Sequence, residues 1–199
     1  MFQITSKIDD APYQKFYKFY SHAIDEGQIN PEAIVISSYD PVAREVDSRF
    51  VNLKYIINNQ WVFFSNLNSP KAIQFQLHSQ VSALFYWPVI NLQIRMKAEV
   101  KEIDPMLSDK HFASRSIEKN TLALISNQSK EISSYDDLVK KYTDSLSSND
   151  VINCRPSHWG GFSFQPYYFE FWKGQKFRLN KRESFELEDN KWLKKILQP

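Results

Sequence analysis

From Leu92 to Val100 the chain alternates: Leu92, Ile94, Met96, Ala98 and Val100 are apolar, and polar residues stand between them. Side chains on a strand point to opposite faces with a period of two, so 91–103 is predicted to be a strand with one buried face and one wet one. Such a strand needs neighbours. "AIVISSYD" (33–40), "SRFVNLKYII" (48–57), "WVFFSN" (61–66) and "QVSALFYW" (80–87) carry the β-branched and aromatic residues of further strands. "NNQ" between the second and third of these is a hairpin signal. "FSFQPYYFEFW", "KFRLNKR", "SFELEDN" and "KWLKKIL" return the C-terminus to strands.

Helices are inserted among them. Tyr13, Phe16, Tyr17 and Tyr20 fall at i, i+3, i+4 and i+7, one face of a helix over 11–26. Ser69-Pro70 and Asp104-Pro105 each place a capping residue before a proline, which starts helices at 70–78 and 105–126, and a further helix is predicted at 134–146. The one loop-like stretch of any length is 147–161. The expected class is α+β, mainly β: a single domain, 1–199, around an antiparallel sheet or barrel of five or six strands, with an N-terminal helical segment over 1–30.

The composition excludes several functions. A net charge of +2, with acidic and basic residues interspersed, gives no nucleic-acid stripe. Four glycines in 199 residues leave no Gly-rich phosphate loop. The four histidines (22, 78, 111 and 158) have no metal-binding spacing, no GxSxG elbow is present, and the lone Cys154 has no partner for a disulfide. No apolar run is long enough for a membrane span, and the first residues lack a secretory pattern, so a cytoplasmic location is expected. Aromatics are 15% of the chain, which suits a β-rich fold or a pocket for a flat ligand.

The chemistry-bearing residues are cations, hydroxyls and amides on strand and helix ends. Arg49 and Lys54 lie on one strand, five apart, and so face opposite sides unless a bulge or strand edge intervenes. Ser65 ends the next strand, Lys71 begins a helix, and Gln128-Ser129 follow one. Hydroxyls and fixed cations at a helix start suit an anion. Near the C-terminus, "FWKGQKFRLNKR" sets cations beside an indole.

Seven segments, "SRFVNLK", "FFSNLNSPKA", "FYWPVINLQIRM", "FASR", "SNQS", "RPSHWGG" and "FEFWKGQKFRL-KR", resemble in order and spacing the pyridoxine/pyridoxamine 5′-phosphate oxidase family, over about Pro31 to Pro199. The resemblance implies an FMN-binding split β-barrel, an antiparallel Greek-key barrel with surrounding helices, and a homodimer whose subunits both contribute to the flavin site. It implies FMN contacts from Arg49, Lys54, Phe64, Ser65, Lys71, Gln93, Gln128, Ser129, Trp172 and Arg182. Residues 160–199 would complete the flavin and substrate site, with Arg178 and Asn180 as catalytic and substrate-contacting residues. Lys54, His111, Arg115 and Lys119 would hold the substrate. The implied reaction oxidises pyridoxamine or pyridoxine 5′-phosphate to pyridoxal 5′-phosphate with oxygen as acceptor; no metal, nucleic acid or membrane takes part.

The chain departs from the family pattern where the substrate would lie. Arg178-Leu179-Asn180 stands for Arg-Leu-His, and His111, Arg115 and Lys119 stand for Tyr, Arg and Ser. Pro70 also replaces a basic residue before Lys71. Two alternatives therefore stay open: an oxidase of another anionic aromatic substrate, as in phenazine biosynthesis, or an FMN-binding protein without turnover. Arg178 and Asn180, two apart on a predicted strand, would share a face, as would His111, Arg115 and Lys119 on a predicted helix.

Overall fold

The structure, a computed structural model, describes residues 2–6, 8–147 and 154–199. Residues 148–153 of the loop expected at 147–161 lie outside the described residues, and its last three residues already belong to a strand. Among the described residues nine strands form one sheet, more than the five or six expected: β1 (Gln3–Ile4), β2 (Ala33–Asp40), β3 (Glu45–Ile57), β4 (Gln60–Asn66), β5 (Gln80–Trp87), β6 (Leu92–Glu102), β7 (Trp159–Lys173), β8 (Lys181–Glu188) and β9 (Lys191–Leu197). Every pairing is antiparallel except that of the two-residue β1 with β3. The order β3-β2-β5-β6-β7 is closed by β4, which pairs with both β3 and β7, so six strands form a ring of hydrogen bonds without a free edge.

The alternation in β6 does what its pattern predicts. Leu92, Ile94, Met96, Ala98 and Val100 are all buried inside the ring. Tyr13, Phe16, Tyr17 and Tyr20 on α1 (Ala11–Asp25) are buried too, with Phe16 edge-on to Trp61 at 4.5 Å and Tyr13 edge-on to Phe169 at 5.2 Å. Aromatic residues thus join α1 to the interior of the ring, where each large ring contributes roughly 2–3 kcal/mol of burial.

Two bulges shape the ring. Leu53 pairs with Phe63 and Tyr55 with Val62, so Lys54 is an extra residue on β3. On β7, Tyr167 is the extra residue between Lys97↔Tyr168 and Ala98↔Pro166, beside a proline that has no N–H to give a ladder.

The helices α2 (Pro70–Leu77), α3 (Pro105–Ala113), α4 (Ile117–Ile125) and α5 (Tyr135–Ser147) lie in the connections. The single helix expected over 105–126 is two. Ser114 Oγ donates to the His111 carbonyl, Asn120 Nδ2 donates to the Phe112 carbonyl, and extended Ser116 starts α4. Side chains thus satisfy the carbonyls that a continuing helix would have used.

A cation-lined cavity between β3, β4 and the α2 to α4 segments

A cavity of about 960 Å³ opens where β3, β4 and the starts of α2 and β7 meet α3 and α4. Among the described residues, five cations line it (Arg49, Lys54, Lys71, Arg115 and Lys119) against the single carboxylate of Asp47. The bulge explains how Arg49 and Lys54 both reach it. Five residues apart on a regular strand they would oppose each other, and the extra residue at 54 changes the parity.

Arg49 is held in place by four partners, one of them the Ile36 carbonyl at 3.5 Å. Its guanidinium donates to Ser38 Oγ and to Gln74 Oε1, the latter at 3.1 Å, and lies 3.4 Å from Asp47 Oδ2. Gln74 Nε2 donates to that same carboxylate oxygen at 2.6 Å. Burial lowers the pKa of Arg49, and Asp47 partly offsets this.

Lys71 has no such counter-ion. Ser69 occupies the N-cap position of α2, as its sequence suggests, but its hydroxyl does not cap the helix. It donates instead to the Asn66 carbonyl at 2.7 Å and accepts from Lys71 Nζ at 3.2 Å, while Ser65 Oγ accepts from Lys71 Nζ at 2.9 Å. The Asp104 cap of α3 is conventional by contrast, accepting from the Met106 N–H at 2.8 Å. The ammonium of Lys71 is therefore buried among hydroxyls, with no carboxylate bridged to it among the described residues. Desolvation, then the charge of Arg49, pushes its pKa down to about 8. A buried cation without a counter-ion is costly, and an anion in the cavity removes that cost. Near it, Gln128 Oε1 accepts from the Asn66 N–H at 3.3 Å, and Ser129 takes a left-handed backbone with φ of 66°.

The second group of cations lies around His111. Lys54, Arg115 and Lys119 all bear on that imidazole. Lys54 comes from β3, while His111, Arg115 and Lys119 come from α3, the turn after it and α4, and not from one helix as their four-residue spacing suggested. Arg115 packs its guanidinium over Trp159, 4.6 Å from the ring centroid, and donates through Nη2 to the Lys119 carbonyl at 2.8 Å. Its Nη1 is buried and has no hydrogen-bond partner among the described residues. An orphaned guanidinium nitrogen on a cavity wall fits an anionic ligand.

Beside these cations runs an aromatic wall. His111 stacks on Phe64 with centroids 4.0 Å apart and planes 10° apart, and Phe64 stacks on Trp159 at 5.1 Å and 2°. Gly161, opposite Phe64 in the ladder, permits this arrangement: a Cβ there would come 2.3 Å from Ile103 and 2.9 Å from Phe64.

The remaining expected residues sit elsewhere. Gln93, Trp172 and Arg182 form a row across β6, β7 and β8, directly paired in register, and none of them lines the cavity. Arg182 is already engaged: Nε and Nη2 reach Glu170 Oε1 at 2.8 and 2.7 Å, and Nη1 donates to the Gln198 carbonyl. Arg95 pairs with the other oxygen of that carboxylate. Burial alone would raise the pKa of Glu170, but hydrogen bonds from Arg182 and Arg95 outweigh it and hold the carboxyl ionised.

The strand expected over 176–182 is largely absent, because the β7–β8 ladder ends at Lys173↔Lys181 and leaves 174–180 as the connecting turn. Phe177 and Arg178 have φ of 58° and 62°, and Asn180 Oδ1 accepts from the Gln175 N–H at 3.0 Å. Arg178 and Asn180 are therefore not on one strand face, and neither lines the cavity. Sequence reasoning missed Ser38, Gln74, Tyr55 and Trp159. The first three act through partners 11 to 56 residues away in sequence, and Trp159 was assigned to a loop.

A mainly antiparallel β protein with an electropositive, aromatic-walled cavity defines a class of binding sites for flat, anionic ligands. Comparison with known proteins is more specific. Residues 159–199 match the model of the pyridoxine 5′-phosphate oxidase C-terminal dimerisation region. The chain is 32% identical over 192 residues to the pyridoxine/pyridoxamine 5′-phosphate oxidase of Cytophaga hutchinsonii, covering 94% of this chain and 88% of that protein. It is 31% identical over 198 residues to the Synechocystis oxidase of the same name, covering 98% and 92%.

In fold it is similar to PhzG from Burkholderia lata, solved in complex with tetrahydrophenazine-1-carboxylic acid, with TM-score 0.88, 22% identity and coverage of 94% and 92%. A pyridoxamine 5′-phosphate oxidase-related, FMN-binding protein from Nostoc punctiforme aligns with TM-score 0.76, 13% identity and coverage of 96% and 100%. The chain belongs to the pyridoxine/pyridoxamine 5′-phosphate oxidase family, a family of oxidoreductases. No described helix is long and apolar enough to cross a membrane.

Proposed function

We propose that this protein is an FMN-dependent oxidase that converts pyridoxamine or pyridoxine 5′-phosphate to pyridoxal 5′-phosphate, with oxygen as electron acceptor. The observation that carries the reading is the presence of two separate cation groups in one cavity. Arg49 bears on Lys71, and Lys54, Arg115 and Lys119 bear on His111. Two anionic groups, one on a cofactor and one on a substrate, use both.

In this reading Lys71, Ser65 and Arg49, with Gln128 and Ser129, hold the FMN phosphate, and Phe64 offers an apolar surface beside it. Lys54, His111, Arg115 and Lys119 hold the substrate phosphate. When bound, FMN supplies the two-electron oxidation at the carbon bearing the amine or alcohol and passes the electrons to oxygen, giving hydrogen peroxide. The protein's work is to bind, orient and exclude water, and none of these residues needs to act as an acid–base triad.

The ring of six strands supports the split-barrel architecture. Gln93, Trp172 and Arg182, remote from the cavity of their own chain, are the flavin contacts that a partner subunit delivers. Val46 and Phe50, 69% and 74% exposed on β3, supply apolar surface for that homodimer beside the cavity. Arg178 and Asn180 belong to the same delivered segment. A cytoplasmic setting fits this chemistry.

One departure favours a second reading. Asn180 stands where family enzymes have histidine, so an oxidase acting on another anionic aromatic compound is the alternative. The test begins with FMN, which should bind in preference to FAD and raise the melting temperature. Anaerobic mixing with pyridoxamine 5′-phosphate should then bleach the flavin absorbance, slowly, and Asn180→His should accelerate it. If both proteins stay oxidised with pyridoxamine and pyridoxine phosphates while a tricyclic aromatic carboxylate reduces them, the second reading replaces the first.

A further inference from the structure

Tyr55 Oη and His111 Nδ1 lie 2.7 Å apart. Tyr55 makes no other side-chain hydrogen bond among the described residues, and it does not line the cavity, whereas His111 does. The Nδ1 edge of the imidazole is thus turned toward β3, and the ring is pinned flat on Phe64. What remains to face the ligand is the Nε2 edge.

The charged and titratable groups around that ring are Lys54 and Tyr55 on β3, Arg115 after α3, and Lys119 on α4, with no carboxylate among those acting on it. Burial, then those cations, pushes the His111 pKa down to about 4, so the ring is neutral through the physiological range. A neutral imidazole carries one proton, and the partner of one nitrogen decides which nitrogen holds it. With Tyr55 donating to Nδ1, that proton sits on Nε2. The other tautomer would aim a lone pair at the same anion that Lys54, Arg115 and Lys119 attract.

We propose that Tyr55 is a positioning residue that fixes His111 as an uncharged Nε2–H donor, making this end of the cavity a wall of donors that selects a fully deprotonated phosphate over its singly protonated form. The proposal rests on the functional reading above for the identity of the ligand as a phosphate ester. Its logic is one of hydrogen-bond inventory. Lys54 Nζ, Lys119 Nζ, Arg115 Nη1 and the His111 Nε2–H can all donate and none can accept. Asp47, the one carboxylate on the cavity wall, is committed to Arg49 and Gln74. A phosphate monoester dianion has only acceptors and satisfies every donor. Its monoanion brings a P–O–H that none of these four groups can accept, which leaves it only the serine hydroxyls of the wall, Ser114 and Ser116 among them, and costs the dianion's fit to the four donors. A phosphate ester crosses between these forms near a pKa of about 6.

The experiment is ¹⁵N NMR of the imidazole nitrogens in FMN-loaded protein, with His111→Phe to assign the signals. We expect His111 to show a protonated Nε2 and a bare Nδ1 from about pH 5 to 8. Inorganic phosphate should shift the Nε2 signal more at the upper end of that range than at the lower. Tyr55→Phe keeps the ring contact, should let the two tautomers mix, and should raise KM for pyridoxamine 5′-phosphate about tenfold at the upper pH while flattening its pH dependence. A protonated Nδ1, a ring that titrates above pH 6, or an Nε2 signal indifferent to phosphate overturns the proposal. Failure to oxidise pyridoxamine 5′-phosphate while the tautomer and the phosphate response hold counts against the functional reading instead.

Discussion

The cavity and the C-terminal row are both rich in arginine and lysine, and they treat those charges in opposite ways. In the row, Arg95 and Arg182 share the buried carboxylate of Glu170, whose side chain is only 3% exposed, so the charges are balanced within the chain. In the cavity, Lys71 has no carboxylate partner among the described residues, Lys54 and Lys119 feel Glu32 and Glu118 without being bridged to them, Arg115 leaves Nη1 unmatched, and the local pKa values of Lys54, Lys71 and Arg115 are depressed by burial. Cations satisfied internally hold a fold together, and cations left unsatisfied are held ready for a ligand. The comparison separates charges balanced within the chain from charges left open to a ligand; Arg182, held by Glu170, is thereby fixed in place for the flavin contact proposed for it.

The largest expected effect tests the structural side. Glu170→Gln leaves two guanidiniums facing a neutral amide, and should cost about 3 kcal/mol of stability, lowering the melting temperature by about 10 °C. Asp47→Asn, at a half-exposed carboxylate in the cavity, should cost about 0.5 kcal/mol or less. Equal losses in thermal melts of the two variants would erase the distinction.

Next comes the functional side. If Lys71 is the phosphate donor proposed above, Lys71→Ala removes a contact worth about 1.5–3 kcal/mol and should raise the Kd for FMN roughly tenfold to a hundredfold. Cys154→Ala, at an exposed thiol that touches none of this machinery, should leave it unchanged in the same fluorescence titration. If the two variants bind FMN alike, Lys71 is not on the phosphate.

A smaller effect follows from pH. The Lys71 ammonium titrates at about 8 in the folded chain against an ordinary 10.5, so between those values the unfolded state binds more protons. The FMN-free protein should therefore gain stability as pH rises from about 8 toward 10.5. FMN binding needs the protonated lysine and should weaken over the same interval. Lys71→Ala should abolish both trends, and trends that persist in the variant belong to another group.

Much of this was legible in the sequence, for identifiable reasons. The period-two run of β6 and the aromatic face of α1 are local patterns, and both strand and helix are where those patterns put them. Ser65, Lys71, Gln128 and Ser129 stand at element ends, where punctuation such as Ser69-Pro70 is local as well. The break between α3 and α4 was not legible, because Ser114 and Asn120 end the first helix through bonds that only the fold aligns. Phe177 and Leu179 mimic strand alternation, yet the ladder stops before them, and only strand pairing shows that. Tyr55 was invisible for the same reason: its partner lies 56 residues away.

The central claim is that the cavity of one chain and the C-terminal segment of another make one site. Subunit complementation tests it directly. With FMN held well below the Kd of the Lys71→Ala variant, that substitution empties the cavity and Arg178→Ala impairs the delivered segment, so each variant alone should be nearly inactive toward pyridoxamine 5′-phosphate. When the two are unfolded together and refolded at equal concentration, half of the dimers are mixed and each mixed dimer holds one intact composite site, so activity should return to about a quarter of the native value. Activity that stays at the level of the separate variants, with mixed dimers confirmed by mass, would show that both segments serve the same chain and contradict the account.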